Sequence, residues 1–212
     1  MICTERRRSV PALCIVLIVG LLAAAALLSS CGQPAESGEA ENKEDVQVAE
    51  TKPVVEIVMQ DGGKIDIELD PSAAPITVEN FLKLVNEGFY DGLTFHRIIP
   101  GFMIQGGDPE GTGMGGAEET IKGEFSSNGV DNTISHGRGV ISMARSQSPD
   151  SASSQFFITN ADATFLDGEY AAFGTVTSGM DVVDRISAVE TSGEPNDAPL
   201  TPVVIESIKQ IN

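Results

Sequence analysis

One arginine and one glutamine stand out in this sequence because their neighbours are apolar. Arg97 sits in a strand-like run with Phe95, Ile98 and Ile99, and Gln105 follows Met103 by two residues. Period-2 alternation puts Phe95, Arg97 and Ile99 on one strand face, and Met103 and Gln105 on one face of the next strand. A guanidinium among such side chains is costly to bury unless its planar fork is hydrogen-bonded. Spacing alone leaves a plainer alternative open, in which Arg97 snorkels to water from a strand edge and the phenylalanines are simply core.

Other chemistries lack their residues. There are two histidines, His96 and His136, and three cysteines, Cys3, Cys14 and Cys31, all within the first 31 residues. No His-Glu-x-x-His spacing offers a zinc site, and no Ser occupies a nucleophile-elbow setting, so neither a metal centre nor a Ser-His-Asp hydrolase is expected. His96 is expected to be structural, on the strand face opposite Arg97, and His136 to lie in a turn before Val140. Residues 111–116, GTGMGG, match G-x-G-x-x-G in form. Without a following helical stripe or a βαβ unit they read as a surface loop, and no cofactor is expected. The formal charge of −18 repels phosphate backbones, so nucleic acid is not an expected partner.

The elements that must position Arg97 and Gln105 are short. Residues 54–59 and 64–69 read as strands joined by Asp61-Gly62-Gly63, a hairpin signal. Thr77 reads as an N-cap for a helix whose stripe is Val78, Phe81, Leu82 and Val85, closed by Gly88. Further strands are expected at 94–99, 103–107, 140–144, 156–159, 171–175 and 203–210, with a second helix at 180–186. The 22 glycines suit a β-rich domain with many turns. Patterning alone leaves a sandwich and a barrel nearly tied.

Two segments go further. Residues 95–108 read FHRIIPGFMIQGGD, and residues 142–159 read SMARSQSPDSASSQFFIT, with FLDG following at 165–168. Together and in this order they resemble the signature regions of the cyclophilin family of peptidyl-prolyl isomerases, a similarity running from about residue 54 to residue 211. The resemblance implies an all-β fold, a closed eight-stranded antiparallel barrel capped by two α-helices. It implies that Arg97 is the catalytic arginine and Gln105 the glutamine that orients it. Phe102, Met103, Phe157 and Leu166 match the walls of a proline pocket; Gln155 and the backbone around Ala144 and Arg145 match the groove that holds the substrate chain. Phe165 stands where many eukaryotic members have Trp, and Tyr170 where they have His. Phe165 has no indole N–H, so weakened cyclosporin binding is expected, whereas Tyr170 still offers ring surface and a hydroxyl.

The chemistry this implies needs neither nucleophile nor metal. Rotation about an X–Pro bond meets a barrier of about 18–20 kcal/mol because the nitrogen lone pair is delocalised into the carbonyl. A dry pocket that grips the ring, and a donor that favours a pyramidal nitrogen, lower that barrier through bonds that strengthen as resonance is lost. The expected partners are proline-containing unfolded or flexible polypeptides. The alternative function is a module that binds such segments as a chaperone or scaffold, with isomerisation incidental.

The N-terminus reads differently. Arg6, Arg7 and Arg8 precede a charge-free apolar run over residues 12–28, the layout of a signal peptide over 1–30. Leu28-Ser29-Ser30-Cys31 resembles the lipobox of bacterial lipoproteins, which implies lipidation at Cys31 and attachment to the outer face of a cell membrane. An uncleaved anchor helix and soluble secretion are the alternatives. Residues 31–52 are expected to be the lipidated cysteine and a disordered acidic linker, and residues 53–212 the isomerase domain.

Overall fold

The computed structural model describes residues 52–212. The expected signal peptide, Cys31 and nearly all of the acidic linker lie outside the described residues. Two strands, β1 (Val54–Met59) and β2 (Lys64–Leu69), alternate faces and bury Val55, Ile57, Met59, Ile65, Ile67 and Leu69. Their turn closes where the Met59 N–H donates to the Gly63 carbonyl at 2.8 Å. Gly62 there has φ 86°, a conformation glycine adopts freely.

Helix α1 (Pro75–Asn86) packs Val78, Phe81, Leu84 and Val85 inward, with Leu82 only partly buried. Thr77 is not its N-cap. Ala74 holds that position, and Pro75 opens the first turn, where no N–H is needed. The cap comes from a carboxylate distant in sequence: Glu124 accepts the Thr77 N–H at 2.8 Å, the Thr77 hydroxyl at 2.7 Å and the Ile76 N–H at 3.1 Å. A buried anion thus satisfies donors at the positive end of the helix. Gly88, with φ 69°, follows the helix and donates to the Val85 carbonyl.

The remaining elements are β3 (Arg97–Ile99), β4 (Met103–Gly106), β5 (Val140–Met143), β6 (Phe156–Thr159), β7 (Ala172–Ser178), α2 (Met180–Ser187) and β8 (Ile205–Gln210). All pairings are antiparallel in one eight-stranded sheet, ordered β3-β4-β6-β5-β7-β2-β1-β8.

The expectation of a closed barrel needs correction. The sheet is an open half-barrel whose end strands, β3 and β8, share no ladder. The residues leading into them meet at the single bridge Thr94↔Val204, with the Phe95 N–H on the Val203 carbonyl (3.0 Å), the Ile205 N–H on the Leu93 carbonyl (2.8 Å) and the Gly92 N–H on the Ile205 carbonyl (2.9 Å). The reason lies in β3. It is three residues long, and residue 98 turns its N–H to the Asp197 carbonyl (2.9 Å) in the loop before β8.

The short β3 also revises the face assignment. Phe95 lies ahead of the ladder, buried in the main core with Ile98, while Ile99 packs on the other side of the sheet. That core is centred on Phe81, whose ring lies 5.2 Å from Tyr90, 5.2 Å from Phe173 and 5.6 Å from Phe156. Such offset and edge-on ring contacts add to the area that α1 and the sheet bury together.

Candidate active site

A second, smaller apolar cluster forms around Met103, Phe157, Ala163 and Leu166, with Ile99, Phe102, Ala144 and Tyr170 packed against it. Strand register builds it. Arg97 pairs with Gln105, Gln105 with Phe157, and Phe157 with Ser142, a row running across β3, β4, β6 and β5. Directly opposed residues project from the same face, so this row and the adjoining Ile99↔Met103 pair share one surface. Ile98, Ile104, Ile141 and Ile158 alternate into the main core. Pro100-Gly101 turns β3 into β4, with φ 74° at Gly101 and the Phe102 N–H on the Ile99 carbonyl.

A hollow of about 240 Å³ opens on this surface. Met103, Phe157 and Leu166 are its buried apolar part, and Phe102, Ala144 and Tyr170 add to its wall. Arg97 and Gln105 line it from the polar side, and Arg145 from beyond Tyr170. Phe157 meets Tyr170 edge-on at 5.9 Å. Arg145 is not a free cation: its guanidinium lies 4.8 Å from the centre of the Tyr170 ring and 5.0 Å from that of Phe125. It also donates to the Glu169 and Ser146 carbonyls at 3.0 and 2.9 Å. Its work is to hold the Tyr170 wall.

Three expected residues stand elsewhere than at the hollow's lining or in other company. Phe165 is 72% exposed, a rim residue whose ring lies 5.4 Å from that of Phe102. Gln155 lines a neighbouring cavity of about 400 Å³, together with residues 113–117 and Ser146, Ser151 and Ser153. Gln105 faces Arg97 in register, but its amide donates to the Gln155 side chain at 2.8 Å. Gln155 in turn donates to the Gly115 carbonyl at 2.7 Å, so an amide chain forms the ridge between the two cavities. The carboxylate beside Arg97 belongs instead to Asp197, 3.6 Å from Nε.

Sequence reasoning missed Asp197, which lies 100 positions along the chain in an irregular loop and carries no periodic signal. It also missed residues 113–117 as cavity lining. The buried carboxylate of Asp108 accepts the N–H groups of Glu110 (2.8 Å), Thr112 (2.9 Å) and Gly113 (2.6 Å). Loop amides that a phosphate would require are therefore engaged internally.

Behind the hollow a polar chain runs from buried Ser142 and His136 out to Asp167 at the surface. His136 stacks on Phe157 at 6.1 Å, with its Nδ1 2.8 Å from Asp167 and its Nε2 3.0 Å from the Ser142 hydroxyl. Asp167 also accepts the Ser135 hydroxyl at 2.6 Å and the His136 N–H at 2.7 Å. A carboxylate only accepts, so Nδ1 carries the proton and Nε2 accepts from Ser142. Ser142 is fully buried, which removes it as a nucleophile despite the triad-like distances. His96, just before β3 and beside the loop at Gly113, is also buried, and neither of its ring nitrogens has a hydrogen-bond partner among the described residues.

The description of a known family matches these residues. The profile of "Cyclophilin type peptidyl-prolyl cis-trans isomerase/CLD" matches residues 54–210. The chain belongs to the cyclophilin family. Among cyclophilin relatives, peptidyl-prolyl cis-trans isomerase B of Bacillus subtilis is 51% identical over 130 residues, covering 61% of this chain and 87% of that protein. Peptidyl-prolyl cis-trans isomerase A of Dickeya dadantii is 46% identical over 160 residues, covering 70% and 80% respectively. A crystal structure of a Cryptosporidium parvum cyclophilin type isomerase, determined in the presence of the dipeptide Ala-Pro, superposes with a TM-score of 0.68 at 32% identity. It covers 75% of this chain and 99% of that one.

The two histidines make this cyclophilin's stability depend on pH. Burial pushes His136 below its ordinary value of 6.5, against the pull of Asp167. Burial also lowers His96, with Asp108 opposing and Arg97 assisting. A histidine whose folded pKa is depressed binds its proton more readily in the unfolded chain, so stability is full above the unfolded value and falls as pH drops through the folded one. Tm should therefore hold steady from about pH 8 to 7 and decline from about pH 6.5 downward. Calorimetric scans across that range check this, and a Tm unchanged down to about pH 5 contradicts it.

Proposed function

We infer that this chain catalyses cis–trans isomerisation of X–Pro peptide bonds. The observation that carries this reading is a guanidinium standing at the edge of an apolar, ring-sized hollow on the same surface row as Phe157. Met103, Phe157 and Leu166 offer the proline ring a desolvated seat. Arg97 stands where its N–H groups can meet the imide nitrogen or carbonyl as resonance is lost. Each tenfold acceleration requires about 1.4 kcal/mol, which a few charge-assisted bonds in a partly dry pocket supply. No covalent bond to the substrate forms or breaks, so the burial of Ser142 and both histidines is no obstacle.

The substrates we propose are proline-containing unfolded or flexible polypeptides. The Ala-Pro dipeptide used with the Cryptosporidium relative supports this assignment. A pure binding module remains the second reading, and Arg97 separates the two, since gripping a ring needs no guanidinium beside it. Arg97→Ala should lower the rate on a cis-Pro peptide by more than tenfold in a protease-coupled assay, with Tm preserved. An unchanged rate would remove Arg97 from the mechanism.

Cyclosporin binding is proposed to be weak, because exposed Phe165 presents ring surface without a donor. Phe165→Trp should tighten binding several-fold by titration calorimetry. Equal affinity in both forms removes Phe165 as the cause.

We further propose that the protein works outside the cytoplasm, anchored through lipid on Cys31. The Arg6–Arg8 cluster, the apolar run at 12–28 and the Leu-Ser-Ser-Cys sequence support this. Labelled palmitate should enter the full chain in bacterial cells and be lost in Cys31→Ser; equal labelling of both contradicts the anchor.

A further inference from the structure

We propose that Asp197 is the positioning residue for Arg97, holding the guanidinium by its Nε so that both terminal nitrogens stay available to substrate. The proposal rests on the reading of Arg97 as the donor in isomerisation.

The arginines of the domain provide the contrast. Arg138 places both terminal nitrogens on Asp184, at 2.7 Å each. Arg185 gives Nη2 to Asp61 at 3.0 Å, and Arg145 gives Nη1 to the Ser146 carbonyl at 2.9 Å. Arg97 alone among these four makes no hydrogen bond from its terminal nitrogens to a described residue, and its one ion pair is at Nε, 3.6 Å from Asp197 Oδ2. An arginine whose task was to stabilise the fold would use its fork as the other three do. One paired by charge at the inner nitrogen alone keeps the outer edge of the guanidinium plane free while the nearby carboxylate biases where that plane sits. That constraint matters because the Arg97 side chain is 39% exposed, and Gln105 is committed to Gln155.

Asp197 is itself held with unusual firmness. Its side chain is only 13% exposed. Its backbone adopts φ 50°, among described residues the only positive φ outside glycine. Asp enters this region more readily than most residues bearing Cβ, and local bonds hold it there. Two bonds do so: the Asp197 N–H donates to the Gly193 carbonyl, and the Asp197 carbonyl accepts from Ile98, both at 2.9 Å. Ile98 is the residue after Arg97. The loop that carries the carboxylate is thus fastened to the same strand that carries the guanidinium, so their separation is fixed locally.

The test is a double-mutant cycle on the full chain, read as kcat, KM and Tm. Asp197→Gly deletes the carboxylate and relieves the positive φ, so a loss of activity in it does not come from backbone strain. Asp197→Asn keeps an acceptor and tolerates the same backbone, so it should recover part of the function. We expect Asp197→Gly to lower kcat about fivefold and Asp197→Asn about twofold, with KM and Tm little changed. In an Arg97→Ala background neither should have any further effect, because the group it positions is gone. A loss that persists in that background, a change confined to KM, or full activity in Asp197→Gly overturns the proposal. If Arg97→Ala is itself fully active, the catalytic reading falls and this proposal with it. If Arg97→Ala is impaired while Asp197→Gly is not, only the positioning role falls.

Discussion

Everything at the candidate site depends on strand register. Arg97, Gln105, Phe157 and Ser142 stand side by side because four antiparallel strands pair without slippage along that row. A shift of one residue in β4 would turn Gln105 and Met103 into the core and bring Ile104 to the surface. The isoleucines at 98, 104, 141 and 158 prevent it, because each is buried on the opposite face and its exposure would forfeit about 2 kcal/mol. The core thereby fixes the site without touching it.

Polar groups lock the same arrangement from behind. His136, Asp167 and Ser142 form a satisfied chain under Phe157, and Asp167 directly follows Leu166, so one network joins two walls of the hollow. Glu124 plays the equivalent part at α1, and Asp108 at the loop lining the second cavity. Glu124 and Asp108 are buried and tolerated because each accepts several donors, which offsets its desolvation, whereas Asp167 stays open to solvent. Burial also explains why residues that look reactive on paper are structural. A serine, a histidine and an aspartate within bonding distance do no chemistry when no substrate can reach the hydroxyl.

Much of this was legible in the sequence, and the failures have physical causes. Strands β1, β2 and β6 lie at the residues their patterning indicates, since alternation and short apolar runs depend only on neighbours. Thr77 misled because a good capping residue looks the same in sequence whether it caps or is itself bonded by a distant carboxylate such as Glu124. Phe95 was assigned the face of Arg97 because alternation assumes an unbroken strand, and the ladder begins only at residue 97. Strand patterning left sandwich and barrel nearly tied and the closed form came from the family resemblance, whereas closure depends on how far the last strand runs beside the first. Most of the hollow's lining lies in the two signature segments, with Leu166 in FLDG and Tyr170 just beyond it. Asp197 was not legible, because nothing local to residue 197 signals where Arg97 will be.

The open edge of the half-barrel has its own consequence for motion. Between β3 and β8 the connection is one bridge and a few backbone bonds rather than a ladder, so parting there breaks far fewer interactions than unfolding the sheet. Local openings draw on the least stable parts of a fold. The amides of Phe95 and Ile205 should therefore exchange with solvent deuterium ahead of those of Ile104 and Ile158, which sit mid-sheet. That edge belongs to the strand bearing the arginine, whereas Met103 and Phe157 in the apolar floor of the hollow belong to strands paired on both sides.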